Sequence, residues 1–310
     1  MASYLAMSGG GERGCLLVGM LDRLHKMSNV QWQAVAGISA GALVGAIVAQ
    51  STEATFQETI DQLKSMFLSK DFHVVDSWTW GGDIVNFLDA FLFHDSIFQN
   101  TPLKQLIADH FDTANCQRKL YVGAYNRSLH RYETFDTTAT NLPDAILASA
   151  AVPVIFPPVE IDTYLYEDGG VEHLIPVLEI EQWVKSTVGK KHVDVLVCYP
   201  INNYKAFNDI TAMKTEYPLL NNMARTLSDD MLSKLKDDLQ HLAKLCGVSY
   251  EELTKSNCGT FINGDLTVRI LSTKDGQHHS FVHMDPKVSM ELYHSGESAV
   301  IDYLTPALKV

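Results

Sequence analysis

The chain has no run of apolar residues approaching the ~18 that a membrane-spanning helix needs, no internal repeat and no low-complexity tract. Cysteine is sparse. Cys15, Cys116, Cys198, Cys246 and Cys258 are odd in number, widely spaced and free of any Cys-x-x-Cys, which argues against a disulfide framework and a zinc site and points to a reducing setting. Positive charge is short as well, 24 Lys and Arg against 37 Asp and Glu, for a net charge of −13. Such a balance argues against nucleic acid as a partner and against strongly anionic bilayers, leaving neutral or zwitterionic lipid as the surface it would meet. The first residues lack the basic leader of a signal peptide, and Ala2 stands where N-myristoylation requires Gly. They read instead as a strand, and a cytoplasmic location is expected. What is present, 310 residues at 46% hydrophobic and 20% charged, suffices for a large core and reads as one α/β domain over 1–310.

The stretch Val35 to Ala46 organises the rest. An apolar strand runs into Gly37-Ile38-Ser39-Ala40-Gly41 and leaves as a small-residue helix, the pattern of a nucleophile elbow. A Ser at the apex of so tight a turn is held in a strained conformation, and side chains at Gly37 and Gly41 would collide. The turn exposes the Ser39 hydroxyl and aims the unpaired N–H groups of the helix N-terminus at any negative oxygen that forms beside it. A Gly/Ser turn without chemistry is the competing reading.

Upstream, residues 3–8 read as a buried strand and Cys15 to Lys26 as a helix with Leu17, Met20, Leu21 and Leu24 on one face. Between them Gly9-Gly10-Gly11-Glu12-Arg13-Gly14 matches the dinucleotide-binding G-x-G-x-x-G. That fold places an acidic residue at the end of its second strand, about 20 residues on. Here that strand, Gln33 to Ile38, ends in Ser39 instead. Beside an elbow the same glycines become backbone donors for an oxyanion, and Arg13 either orients the loop, answers negative charge or is simply solvated.

Residues 51–113 read as a mostly helical, aromatic-rich insertion. Phe56, Ile60, Leu63 and Phe67 keep helical spacing, as do Ile84, Phe87, Leu88, Phe91 and Leu92. Phe72, Trp78, Trp80, Phe93 and Phe98 add to the stripe, which is either core or an apolar wall over an acyl site hinged at Gly81-Gly82. Lys119 to Asn126 and Arg131 to Asp136 predict adjacent strands. Asn141-Leu142-Pro143-Asp144 starts a short helix, Ala145 to Ala151, that stops at Pro153, and a rigid connector runs from Ile155 to Val159. Tyr164 to Val171 predicts a strand ending in Asp168, followed by Gly169 and Gly170, so that the carboxylate is presented on a sharp turn or the triplet is an ordinary turn. Pro176 to Lys185 predicts a helix, and Val193 to Tyr199 and Leu266 to Ser272 buried strands. Within a helical segment of about 214–256, Ser228 to Cys246 reads as amphipathic, capped by Ser228, closed by Gly247 and solvated on its charged face. Asp285-Pro286 opens the last helix.

Twelve histidines make a Ser-His-Asp esterase the natural competitor, with His173 and His294 as candidates. Yet only one strand–helix unit precedes Ser39, where an α/β-hydrolase has several. Three motifs in order, Gly9 to Gly14, Gly37 to Gly41 and Asp168-Gly169-Gly170, together with Ala148 to Pro153 leading into Phe156-Pro157-Pro158, resemble the patatin-like phospholipase family. The resemblance implies a three-layer patatin-like fold, a mostly parallel central sheet flanked by helices. It implies a lipid acyl hydrolase with a Ser–Asp dyad, no catalytic His, no metal and no cofactor, acting on phospholipids or other acyl lipids. By it Ser39 is the nucleophile, Asp168 the base, Gly9, Gly10 and Gly11 the oxyanion hole, with Arg13, Gly14, Gly37, Gly41, Gly169 and Gly170 supporting. A silent lipid-binding or regulatory module remains the alternative from another class. Oligomeric state is not legible, and peripheral contact with a membrane is compatible with all of this. An ordinary Asp carboxyl, near pKa 3.9, is a weak base at neutral pH, so a dyad predicts a partly desolvated Asp168 with a raised pKa.

Overall fold

The first apolar runs build a parallel unit of β1 (Ala2–Met7), α1 (Gly14–Met27), β2 (Ala34–Gly37), α2 (Ala40–Ala49) and β3 (Lys119–Asn126) in a computed structural model that describes residues 1–28, 31–68, 96, 99–202, 218–274 and 286–307. Helices α3 (Phe56–Leu68) and α4 (Thr101–His110) lie between α2 and β3. Phe72, Trp78, Trp80, Gly81, Gly82, Ile84, Phe87, Leu88, Phe91, Leu92, Phe93, Phe98 and Asp285 lie outside the described residues. The periodic positions that are described became core: Leu17, Met20, Leu21 and Leu24 on α1 are fully buried, and so are Phe56, Ile60, Leu63 and Phe67 on α3 within a few per cent. Each such side chain contributes about 1.5–3 kcal/mol by leaving water.

The chain continues through β4 (Arg131–Asp136), α5 (Leu142–Ser149), β5 (Val159–Ile161), β6 (Tyr164–Asp168), α6 (Val177–Ser186) and β7 (Lys191–Val197). It ends with α7 (Pro218–Cys246), α8 (Tyr250–Leu253), β8 (Cys258–Asn263), β9 (Leu266–Ser272) and α9 (Pro286–Ala307). The sheet order is β5-β6-β3-β2-β1-β7-β9-β8, with β4 also on β3. The centre, β3-β2-β1-β7-β9, is parallel and buried, and the antiparallel strands sit at the margins. This is a mixed α/β architecture with a central, mostly parallel sheet flanked by helices, as expected.

Local boundaries differ from expectation for identifiable reasons. Helix α5 starts at Leu142 behind Asn141, within the expected start signal Asn141 to Asp144, but ends at Ser149 rather than Ala151. Helix α7 is already helical at Pro218, so Ser228 lies inside it and is no cap; Gly247, at φ +70°, closes it as expected. β5 and β8 were not anticipated, the first being only three residues and the second carrying no clean alternation.

The register around β3 brings the distant motifs together. β4 runs along β3 from Tyr121 to Asn126, occupying one edge. The other edge is shared end to end: β2 pairs with Lys119 to Val122 and stops at Gly37, while β6 enters antiparallel and pairs with Asn126 to Ala124, stopping at Asp168. The turns after Gly37 and after Asp168 therefore face each other across Gly123. β1 supplies the third turn, where the chain has strands on both sides of it, the usual crevice of an open α/β sheet.

Candidate active site

Ser39 sits at φ 54° and ψ −124° directly before α2, a left-handed conformation that costs a side-chain-bearing residue on the order of 1–3 kcal/mol. Its surroundings enforce it. The Ser39 N–H donates to Ser149 Oγ at 2.9 Å, and that hydroxyl donates in turn to Gly123 O at 2.7 Å. The Gly41 N–H closes the turn on Ile38 O at 2.8 Å. A Cβ at Gly37 would stand 2.1 Å from Gly41 O, and one at Gly41 would stand 2.4 Å from Met7 O, so both motif glycines are required by close backbone approach.

Asp168 ends β6 and is fully buried. Its N–H donates to Ala151 O at 2.9 Å, and its Oδ1 accepts from the Gly170 N–H at 2.7 Å. Oδ2 is buried, with no hydrogen-bond partner among the described residues. A Cβ on Gly169 would lie 2.4 Å from Gly123 O, the same carbonyl that anchors Ser149, so the two turns are built on one backbone atom. Burial pushes the Asp168 carboxyl up to about 7, against the smaller opposing pulls of the Ser39 hydroxyl and the Gly170 N–H. The hydroxyl is thus near enough to act on the carboxyl, while no hydrogen bond of ordinary geometry joins them. Catalytic hydrogen bonds are often long before substrate arrives.

The glycine loop lies against the same point. A Cβ at Gly9 would be 3.2 Å from Ser39 Cβ, which places the loop over the nucleophile candidate. The Gly9 N–H, expected as an oxyanion donor, is instead donated to Leu174 O at 2.8 Å. Among the described residues the N–H groups of Gly10 and Gly11 have no backbone acceptor, nor has that of Ala40 at the first turn of α2. A Cβ at Gly10 would come within 2.7 Å of Cys198 Cβ, so the end of β7 forms the loop's far wall. Arg13 is buried rather than solvated: its Nη1 donates to Cys198 O at 3.2 Å and its guanidinium lies 5.3 Å from the Tyr199 ring centre. It ties the loop to β7. Gly14 packs under Phe67, whose Cε1 would be 2.8 Å from a Cβ there.

The candidate histidines are occupied elsewhere. His173 Nδ1 meets Asp238 Oδ1 at 2.6 Å, and the exposed His294 meets Glu297 Oε2 at 2.8 Å. Among the described residues no histidine is hydrogen-bonded to Ser39 or Asp168, no cluster of His, Cys, Asp and Glu has a metal-holding arrangement, and no helix is long and apolar enough to cross a membrane. Sequence reasoning missed Ser149 and Cys198. The signal for Ser149 was available, a lone hydroxyl within the otherwise apolar Ala145 to Ala151.

A family model described as patatin-like phospholipase matches residues 5–180, a span that holds the glycine loop, the elbow and Asp168 to Gly170. Among solved structures the chain is similar to VipD from Legionella pneumophila, at a TM-score of 0.46 and 12% sequence identity, with 98% of this chain and 67% of that chain covered.

Proposed function

Starting from the premise that the chain belongs to the patatin-like phospholipase family, a family of lipid hydrolases, we propose that it cleaves carboxylic esters of phospholipids or related acyl lipids, as a phospholipase A does, through a Ser39 acyl-enzyme. The observation that carries this reading is a fully buried Asp168 whose second carboxylate oxygen has no hydrogen-bond partner among the described residues, on a turn that faces the Ser39 turn across Gly123.

As Ser39 Oγ attacks the ester carbonyl, its proton passes to Asp168 Oδ2, and the negative charge that develops on the carbonyl oxygen is met by the N–H groups of Gly10, Gly11 and Ala40. Collapse of the tetrahedral intermediate breaks the bond to the alkoxy oxygen, which leaves as an alcohol with the proton from Asp168. Water then attacks the acyl-enzyme, gives its proton to the same carboxylate and releases the fatty acid and Ser39. The donors act in a water-poor site, where each well-placed one is worth about 3–4 kcal/mol. A carboxyl held near pKa 7 is the right strength for this work at neutral pH, since it is substantially ionised and still a competent base. Activity therefore rises with pH as Asp168 ionises. The unit responsible is one patatin-like domain over the chain, cytoplasmic and in peripheral contact with neutral or zwitterionic lipid.

A fluorophosphonate probe and a short-chain aryl ester test this together. The native chain is expected to take the label at Ser39 and to hydrolyse the ester, and Ser39→Ala to do neither. An unlabelled native chain that binds phospholipid vesicles would support the silent lipid-binding module instead.

A further inference from the structure

The buried face of α7, otherwise lined by Leu235, Leu239 and Leu242, carries one acid. Asp238, in the C-terminal half of the helix, is 1% exposed, and its carboxylate is directed at the segment that follows the Asp168 turn. Oδ2 accepts from the N–H groups of Leu174 and Ile175 at 2.7 and 2.8 Å, and Oδ1 meets His173 Nδ1 at 2.6 Å. The carbonyl of the same Leu174 accepts the Gly9 N–H at 2.8 Å. On its other side the segment folds back on the dyad turn, since Gly169 O accepts from the N–H groups of Glu172 and His173 at 3.1 and 3.0 Å. A single carboxylate thus holds three consecutive residues that touch both the oxyanion loop and the Asp168 turn.

We propose that Asp238 is a positioning residue, a clamp through which α7 sets the Gly9 to Gly11 loop and the Asp168 to Gly170 turn in register for the Ser39 reaction; this rests on the acyl-hydrolase reading above. A run of three glycines has little intrinsic preference for one conformation, so the direction of its N–H groups must be fixed from outside. Among the ties that do this are Arg13 to Cys198 O and Ser8 Oγ to Gly9 O on one side and Gly9 N–H to Leu174 O on the other. The last is only as firm as Leu174, which Asp238 anchors by charge-assisted bonds in a place shielded from water. Without the carboxylate, two buried N–H groups lose their acceptor and the segment must shift to find another. The clamp comes from chain beyond the matched residues 5–180, so it is supplied by the part of this protein outside the matched span.

The test compares the native chain, Asp238→Ala and Asp238→Asn by amide hydrogen exchange and by kcat and KM on a short-chain aryl ester, with melting curves to confirm folding. In Asp238→Ala, exchange in peptides covering 8–14 and 169–176 should rise roughly tenfold or more while α1 is unchanged, and kcat should fall roughly 10–100-fold with KM within about twofold. Asp238→Asn keeps one oxygen for the Leu174 and Ile175 N–H groups, so it should recover most of kcat and of the protection. Native-like exchange at 8–14 in Asp238→Ala overturns the clamp even if the enzyme is active. So does an exchange increase spread evenly over the chain with no recovery in Asp238→Asn, the signature of a merely structural residue. If the native chain neither hydrolyses ester nor takes a fluorophosphonate label, the acyl-hydrolase reading falls, and the positioning role of Asp238 in that reaction with it, whatever the exchange shows.

Discussion

Asp168 and Asp194 are both fully buried in the same sheet, and their acidities move in opposite directions. Asp194, on β7, is surrounded by donors: Trp32 Nε1 at 2.8 Å, Arg269 Nε at 2.6 Å and His192 Nε2 at 3.0 Å. Burial alone would raise its pKa, but His192 and Arg269 outweigh burial and hold the carboxyl below its usual range. Asp168 receives one backbone N–H and faces one neutral hydroxyl, so burial prevails and takes it to about 7. Being buried does not make a carboxylate a base. Being buried without a cation does, and that distinction separates a residue that braces the sheet from one suited to take a proton.

The comparison is broken most directly by exchanging charge for amide. Asp168→Asn should lower kcat on the aryl ester by roughly 10⁴-fold, in line with loss of a base that acts only in the transition state. Asp194→Ala should leave kcat per folded molecule near native and cost about 3–5 kcal/mol in urea unfolding, because it strands Arg269 and His192 without their anion. A large activity loss from Asp194→Ala at unchanged stability would erase the distinction.

Stability against pH sharpens it. The Asp194 pKa is depressed on folding, so its contribution is present above its unfolded value and is lost as acid protonates it; the deficit of Asp194→Ala should shrink at low pH. The Asp168 pKa is raised, so the native fold bears a growing penalty as pH climbs from about 4 through 7. Asp168→Asn should therefore match the native chain at pH 4 and exceed it at pH 8 by about 1–4 kcal/mol, given ~1.36 kcal/mol per pKa unit. Thermal melts at the two pH values read this. The smallest effect is expected from Ser149→Ala, which removes the acceptor of the Ser39 N–H but touches neither aspartate. It should cost about 1–2 kcal/mol in stability and less than about tenfold in kcat.

The site was legible in the sequence where residue type and local spacing suffice. Gly37-x-Ser39-x-Gly41 and Asp168-Gly169-Gly170 encode turns in which Gly37, Gly41 and Gly169 leave no room for a Cβ, and the strands leading into them show their direction. What could not be read was which groups the turns spend on one another. Gly9 looks like a donor in sequence, and only the fold reveals that Leu174 O takes its N–H. Asp238 lies within the buried stripe of an amphipathic helix, beside Leu235, Leu239 and Leu242, so an acid among leucines was a legible signal, but that the segment 173–175 supplies its partners is shown only by the fold. Asp194 offered a clue, an acid inside the apolar run Val193-Asp194-Val195-Leu196, but its partners Trp32 and Arg269 are 162 and 75 residues away. Strand β5 escaped because its three residues carry too short a pattern to distinguish from the proline connector before it.

The central claim is that a cation-free, buried Asp168 titrates near neutrality. The most direct measurement is a pH titration of the aspartate side-chain carbonyl shifts by carbon-13 NMR in the native chain and in Asp168→Asn. The account predicts one aspartate with an apparent pKa of about 7 that is absent from the variant, matched by the acid limb of kcat/KM. If every aspartate of the native chain titrates below about 5 while the ester is still turned over, Asp168 is an ordinary carboxylate and the account is contradicted.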